Sequence, residues 1–441
     1  MLLDTLVRPY GETDEAARKT CVKWVKDPSR AVPHAVVGTA KQTGGQWAEN
    51  PVKASWDIGA LSYAGMLSLP GFTFEEYYWN THGKAAPFYL RPTRRDVAGY
   101  LAEYPRMVGI SDTIFSNETV SGISRHDNGF HIGSHNISCK HLILASGTFT
   151  NLIPPRPLLQ PLLQLNETSK SKEPLLVVGS GFSAADIILS TPRDRKIIHI
   201  YKWAPSTNPS PLRACHQQAY PEYAGVYRKM KLAALVAQKE RNGKRPSAQR
   251  TISEVDLSRD WGSSYEGLPN TFIQDVEMHN EYALVTLQPD NAPPLQRKIG
   301  AFAYVVGRRG SLEYLDEELV HEICPVGTQL HNISGATIRE KVSNELEIVP
   351  GVFVTGSLTG DSLIRFAYGA CAYAAGRIMA DKQHQTSDEE KFVTRKILLH
   401  KWRPQNGSAM NGLDGHDVSF VTSRSNSPLD RRKSEICVKG Y

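Results

Sequence analysis

Two glycines and an alanine at the head of a predicted helix are the residues here whose types and spacing point most directly to chemistry. They lie in the stretch Gly179-Ser180-Gly181-Phe182-Ser183-Ala184. The residues before them, Leu175-Leu-Val-Val178, are continuously apolar, as a central parallel strand must be when both its faces are covered. The residues after them, Ala184-Ala-Asp-Ile-Ile-Leu189, carry apolar side chains at helical spacing. A strand, a glycine turn and a helix in that order bring bare main-chain N–H groups and the positive end of a helix to one point, where a phosphate can sit. Gly179 permits the tight turn, Gly181 leaves the backbone uncovered and Ala184 keeps the helix close to the strand. The helix-end field supplies only about 0.3–1 kcal/mol, so several backbone hydrogen bonds must carry the affinity. The expected ligand is the pyrophosphate of a dinucleotide.

The next predicted strand, Lys196-Ile-Ile-His-Ile200, runs into Tyr201-Lys202-Trp203. A site for NAD usually offers the ribose a carboxylate about 20 residues beyond the turn, and none stands here. Lys202 is placed instead to meet a 2′-phosphate, an interaction worth about 1.5–3 kcal/mol when charge-assisted. NADPH is therefore the expected cofactor, with a solvated surface lysine as the alternative. No rival chemistry assembles elsewhere. There is no HExxH, no GxSxG and no phosphate loop ending in Gly-Lys-Ser or Gly-Lys-Thr. The six cysteines are scattered without a CxxC pair, against a zinc site, a dithiol motif or a disulfide framework.

The elements that must position this turn follow from the patterning. Ala31-Val-Pro-His-Ala-Val-Val37 reads as a strand, followed by Gly44-Gly45-Gln46-Trp47. Thr93, with Asp96 three residues on, predicts a capped helix over 94–104. Strand patterns occur at 119–124, 129–133, 136–138 and 141–145, the last ending in Ser146-Gly147. Prolines at 154, 155, 157 and 161 suggest a crossing between domains. Strand patterns resume at 271–288, 301–306 and 351–355, and a helix is expected over 362–380. A helix is also expected from Glu15 to Lys26, while 238–270 reads as polar and irregular. The expected fold class is α/β, with two nested dinucleotide-binding domains. Residues 1–165 and 300–382 would form the first and 166–299 the second. Residues 383–441 would form a polar, disordered tail with a short helix at 390–402.

A chain of 441 residues with 40% hydrophobic residues has enough apolar material for sizeable cores. The net charge of +6 is compatible with an anionic ligand. No apolar run reaches the roughly 18 residues of a spanning helix, and the first residues turn acidic too early for a secretory signal. The expectation is a cytoplasmic protein acting on a small molecule, with no nucleic-acid ligand and with protein partners possible through the tail. In that tail Arg431-Arg-Lys-Ser434 has the look of a basic-directed phosphorylation site.

Several segments together resemble the oxidative stress-induced growth inhibitor family, flavoproteins distantly related to the flavin-containing and N-hydroxylating monooxygenases. They are Arg30–Gly38 with Gly44-Gly45-Gln46-Trp47, Leu67–Gly71 preceded by Trp56 and Gly59, Tyr220-Pro-Glu-Tyr223, and Gly356-Ser-Leu-Thr-Gly-Asp361 leading to Arg365-Phe366 and Gly369-Ala370. The resemblance implies FAD in the first domain and NADPH in the second. It places Gly44, Gly45, Gln46 and Trp47 near the flavin and has the Ser146-Gly147 turn close the FAD domain. Gly360 and Asp361 would approach the isoalloxazine or the pyrophosphate. Two departures are visible. Residues 1–30 hold no glycine fingerprint for FAD, implying either an N-terminally truncated chain or the loss of conventional FAD binding. The Phe-x-Gly-x-x-x-His pattern of the flavin-containing monooxygenases is also missing between Gly147 and Leu175. The implied function is an FAD- and NADPH-dependent, monooxygenase-like oxidoreductase; the alternative is a non-catalytic growth or stress regulator that keeps the fold.

Overall fold

The structure is a computed structural model that describes residues 2–7, 20–87, 89–127, 129–167, 172–241, 264–290, 292–361 and 363–383. The expectations for the tail beyond 383, including Ser434, and for most of the helix from Glu15 fall outside these residues. Where that helix would continue, from 20 to 26, the chain is not helical.

The N-terminal part begins with helix α1 (Leu2–Val7), which packs on the C-terminal helix Ala367–Gln383. Strand β1 (Val36–Gly38) is shorter than its apolar pattern, because Pro33 lies in the middle of the run and cannot donate to a ladder. Helices α2 (Ala64–Leu67), α3 (Phe74–His82) and α4 (Arg94–Val108) follow. They share an aromatic core of Phe72, Phe74, Tyr77, Tyr78 and Tyr100. The expected cap of α4 is present, with Thr93 accepting from the Asp96 amide and Asp96 accepting from Thr93. The helix runs past the predicted end to Val108, through Pro105, and stops at Gly109 in the left-handed conformation.

Strand β2 (Ile114–Ser116) lies parallel to β1. Strands β3 (Ile123–His126), β4 (Gly129–Ile132) and β5 (Ile137–Cys139) form an antiparallel meander. Strands β6 (Leu142–Leu144) and β7 (Asn151–Leu152) then lead out of this part.

The second part centres on one parallel sheet. Strand β8 (Leu175–Val178) enters the glycine turn, helix α5 (Phe182–Ser190) leaves it, and β9 (Ile197–Tyr201) returns beside β8. The long helix α6 (Pro221–Arg241) and strand β10 (Tyr265–Pro269) both fall across the stretch read as irregular. The error has a clear source: β10 is Tyr-Glu-Gly-Leu-Pro, whose polar residue, glycine and proline hide a strand that pairs in parallel with β9. Strands β11 (Thr271–Met278), β12 (Ala283–Pro289) and β13 (Leu295–Ile299) make an antiparallel sheet. Strand β14 (Ala301–Tyr304) closes the parallel sheet on the other side of β8, giving the order β10-β9-β8-β14.

Alternate residues of this sheet serve two cores. Leu175, Val177, Ile197 and Tyr201 pack with Ala184, Ile188, Val226 and Met230 of α5 and α6. Leu176, Ile198, Ile200 and Phe302 pack with Val285 and Leu287 of the antiparallel sheet. Full coverage of both faces accounts for the unbroken apolar runs that made β8 and β9 readable.

The chain then returns to the first part. Strand β15 (Arg308–Arg309) pairs with β7, and the helices Glu317–Ile323 and Arg339–Asn344 lead to β16 (Glu347–Val349) and β17 (Val352–Val354). Strand β17 lies parallel to β6.

Candidate functional site

The turn between β8 and α5 has the geometry its sequence predicts. Helix α5 starts directly after Gly181, and no side chain caps its first amides. Ala184 is fully buried against the sheet, as a residue at that close approach must be. The two glycines, however, serve different ends. Gly179 is required by the fold, since its φ of +149° lies where side chains are strained and a Cβ there would collide with the Val305 carbonyl. Gly181 is in ordinary extended backbone, and a Cβ added there would meet only the Pro211 side chain, at 3.8 Å. Among the described residues nothing demands a glycine at 181. An open backbone at the head of a helix is the cradle a phosphate group needs.

The turn is held from beneath. His199 of β9 is completely buried, its Nε2 2.7 Å from the Gly179 carbonyl and its Nδ1 2.8 Å from the Tyr265 hydroxyl. Burial pushes the His199 imidazole down to about 4, opposed by its bond to the Gly179 carbonyl. The segment after β9 arches over the turn. Ser210 donates to the Ser180 carbonyl at 2.5 Å, and a short 3-10 segment, Pro211–Ala214, follows. Lys202 is exposed at the end of β9.

A second cluster lies where the two parts of the chain meet. Asp186, one turn into α5, accepts from the Tyr223 hydroxyl at 2.8 Å. Burial raises the Asp186 carboxyl to about 6, opposed by the Tyr223 hydrogen bond and by the Arg308 and Arg94 charges. Burial lowers both guanidinium groups, against the attraction of Asp186. Arg308 donates to Gln46 Oε1 at 3.0 Å and to Asn50 Oδ1 at 2.6 Å. Arg94 donates to the Trp47 carbonyl at 3.1 Å and lies 3.9 Å over the Trp56 ring. Arg91 pairs with Glu222 at 2.6 Å, and Tyr220 donates to the Leu61 carbonyl at 2.8 Å. The Tyr220–Tyr223 segment, one of those that carry the family resemblance, is thus a bridge between the two parts, and Tyr223 is buried.

The remaining sequence-predicted residues divide. Gly45, at φ +49°, has open space around it, and Gln46 is exposed beside Arg308. Gly44 packs on Leu101, and Trp47 joins the aromatic core of α2–α4. Ser146 bonds Tyr314, and the Thr148 amide donates to Ser357, so the Ser146-Gly147 turn lies against Ser357. Gly360 is pressed on Gly335 and Arg339, where its φ of +96° and lack of a side chain are both used by packing. Asp361 is exposed and does not cap the C-terminal helix, which is preceded by a 3-10 turn at Ile364–Phe366. Arg91, Arg94, Asp186 and Arg308 carry the junction, and sequence reasoning gave none of them that role. Among the described residues no group of three or more His, Cys, Asp or Glu could hold a metal ion, and no helix is long and apolar enough to cross a membrane.

A parallel sheet ordered 3-2-1-4, with its glycine turn after the first strand, joined to a second unit that also contains parallel strands, defines an α/β protein with a doubly wound fold of the dinucleotide-binding type. The chain is 21% identical over 417 residues to oxidative stress-induced growth inhibitor 1 of Mus musculus, covering 86% of this chain and 80% of that one. It is 22% identical over 457 residues to oxidative stress-induced growth inhibitor 2 of Homo sapiens, covering 90% and 82%. The family resemblance read from the motifs therefore extends along nearly the whole chain. No family model matches it. Among solved structures, bacillithiol disulfide reductase Bdr (YpdA) from Bacillus cereus superposes with a TM-score of 0.50 at 13% identity, covering 80% of this chain and 93% of that one. That likeness concerns the fold.

Proposed function

We propose that the chain is an NADPH-linked flavin oxidoreductase acting on a small molecule, with the dinucleotide pyrophosphate on the Gly179–Ala184 turn. The observation that carries this reading is the open backbone at Gly181, a glycine for which the fold itself has no use. When bound, NADPH and FAD supply the hydride chemistry. The protein binds and orients. Ser180, Phe182 and Ser183 offer main-chain amides around the pyrophosphate, and Lys202 faces the adenosine end. Across the junction, Gly45 and Gln46 line the side where a flavin ring would lie, next to Arg308 and Asp186. Asp186 titrates close to neutral pH and can hold or release a proton there.

The two cofactors fit unequally. The strand, glycine turn and helix that would hold NADPH are all present. For the FAD pyrophosphate, no strand-glycine-helix corner lies beside β1 among the described residues, and Gly147 and Gly360 are engaged in internal packing. The internal packing of Gly147 and Gly360 favours a second reading, a regulator that retains the dinucleotide fold without flavin chemistry. Purified full chain tests both. A flavin absorbance spectrum that NADPH bleaches supports the oxidoreductase. Colourless protein that binds NADPH but takes up no added FAD leaves the regulator, and protein that binds neither removes both.

A further inference from the structure

We propose that a cavity beside helix α3 is the docking site for a cationic, apolar segment of this same chain, Lys391–Arg403. The cavity, of about 560 Å³, is lined by Phe72, Glu75, Glu76, Trp79, Ala86 and Met107 among others. It belongs to the helix cluster of the first part, so the proposal does not rest on the dinucleotide site. Trp79 is 57% exposed and Met107 40%, although their helices bury Phe74, Tyr77, Tyr78 and Tyr100. An indole and a thioether that the core leaves outside, both in the wall of a cavity, are the anchors that interfaces use. The two carboxylates are fixed in advance. Glu75 Oε2 accepts from the Ser68 hydroxyl at 2.8 Å, and Glu76 Oε2 accepts from the Thr73 amide at 2.7 Å in the box that caps α3. From Ala54 to Gly83 the sequence has no Lys or Arg. Lys84 follows, and Arg106, beside Met107, is paired with Glu103. Such a surface suits a cation carried on an apolar stem, and the indole adds a face on which the cation can stack.

Lys391–Arg403, which lies outside the described residues, has that chemistry. Lys391, Arg395, Lys396, Lys401 and Arg403 are interleaved with Phe392, Ile397, Leu398, Leu399 and Trp402, and no acid falls among them. The helix that leads to this segment begins next to the cavity. Ile364, just before it, packs on the aromatic cluster that contains Phe72. Tyr104 of α4 donates to the carbonyl of Pro70, two residues before Phe72, at 2.6 Å. The helix Ala367–Gln383 carries the chain away by about 26 Å over its 17 residues. Residues 384–402 can span about 60 Å when extended, ample for the return. A tether of that length keeps the segment at an effective concentration on the order of millimolar, so contacts that are individually weak suffice. A second copy offers the same side chains without the tether.

Photo-cross-linking of the full chain tests this. With Trp79 replaced by benzoylphenylalanine, irradiation of a dilute sample should join position 79 to a peptide from 391–403, at a yield independent of protein concentration. Salt at about 1 M should lower that yield about threefold or more, because exposed charge pairs are screened. A neutral variant, Lys391→Gln, Arg395→Gln, Lys396→Gln and Lys401→Gln together, should lower it about fivefold, the scale of several weak pairs lost at once. Those four positions lie outside the cap and core of α3, so the variant leaves the cavity itself intact. Cross-links only to other peptides, no cross-link at all, or an undiminished yield in the neutral variant would overturn the proposal. A yield that rises with protein concentration and joins two copies would overturn it too, by making the occupant a neighbouring chain. NADPH binding by the same samples is a separate readout and stands whichever way the cross-link falls.

Discussion

The two parts of this molecule use parallel strands in opposite ways. Around the glycine turn, β10, β9, β8 and β14 form one continuous sheet, and every residue of β9 is buried. In the first part the parallel strands are divided, with β1 and β2 in one small sheet and β6 and β17 in another. There Val36 is 49% exposed, Phe115 43% and Ile143 46%, although the patterning of those strands is as apolar as that of β9. Apolar patterning specifies a strand, but a covered strand also needs neighbours on both edges and both faces. The second part supplies them within a single stretch of sequence. The first draws its pairs from widely separated segments, and its cores lie in the aromatic helix cluster and around β3–β6 and β16–β17.

The sharpest way to break this comparison is to truncate one strand residue in each part. Ile198→Ala, fully buried in the core against the antiparallel sheet, should cost about 2–5 kcal/mol of stability. Ile143→Ala should change it by only about 0.5 kcal/mol. Equal losses in denaturant unfolding would mean that the first part is covered as well as the second.

Within the turn, Gly179→Ala should cost at least about 1 kcal/mol, from its positive φ and the collision with Val305, and should lower the melting temperature. Gly181→Asp should leave the melt almost unchanged and abolish NADPH binding, while any flavin content persists. Wild-type NADPH affinity in Gly181→Asp would remove the phosphate assignment.

A pH titration sharpens the role of the buried imidazole. The folded pKa of His199, about 4, lies below the ordinary 6.5, so between those values the unfolded chain binds more protons. Its contribution to stability is complete above about 6.5 and is lost as pH falls toward 4, roughly 3 kcal/mol by linkage. Asp186 opposes it. Its folded pKa is raised from 3.8 to about 6, so the cost of its burial appears as pH rises through that interval. Stability curves of His199→Asn should lose the first slope and those of Asp186→Asn the second. A His199→Asn curve parallel to wild type would refute the first assignment. The smallest effect expected is that of Tyr223→Phe, about 1 kcal/mol for one lost hydrogen bond to Asp186. Unchanged unfolding of that variant would show that the bridge adds nothing to stability.

What the sequence revealed was what is local. The turn, its strand and its helix occupy sixteen consecutive residues, Leu175–Ser190, and each choice of residue type there agrees with the others. The α4 cap was readable for the same reason. The junction was not, because its bonds join residues far apart in the chain: Arg308 to Gln46 and Asn50, Tyr220 to Leu61, Asp186 to Tyr223. No spacing rule connects such pairs. Gly360, expected beside a cofactor, is also used in packing, where it faces Gly335. The useful distinction, shown by Gly179 against Gly181, is whether the fold would tolerate a side chain, and that is visible only in three dimensions.

The grip of His199 on the Gly179 carbonyl, itself backed by Tyr265, has a kinetic consequence. A peptide plane clamped from below cannot rotate to greet an incoming anion, so its mould is set before the guest arrives. Capture by such a rigid recess should follow a single exponential whose rate grows linearly with nucleotide concentration, without the plateau that a slow rearrangement imposes.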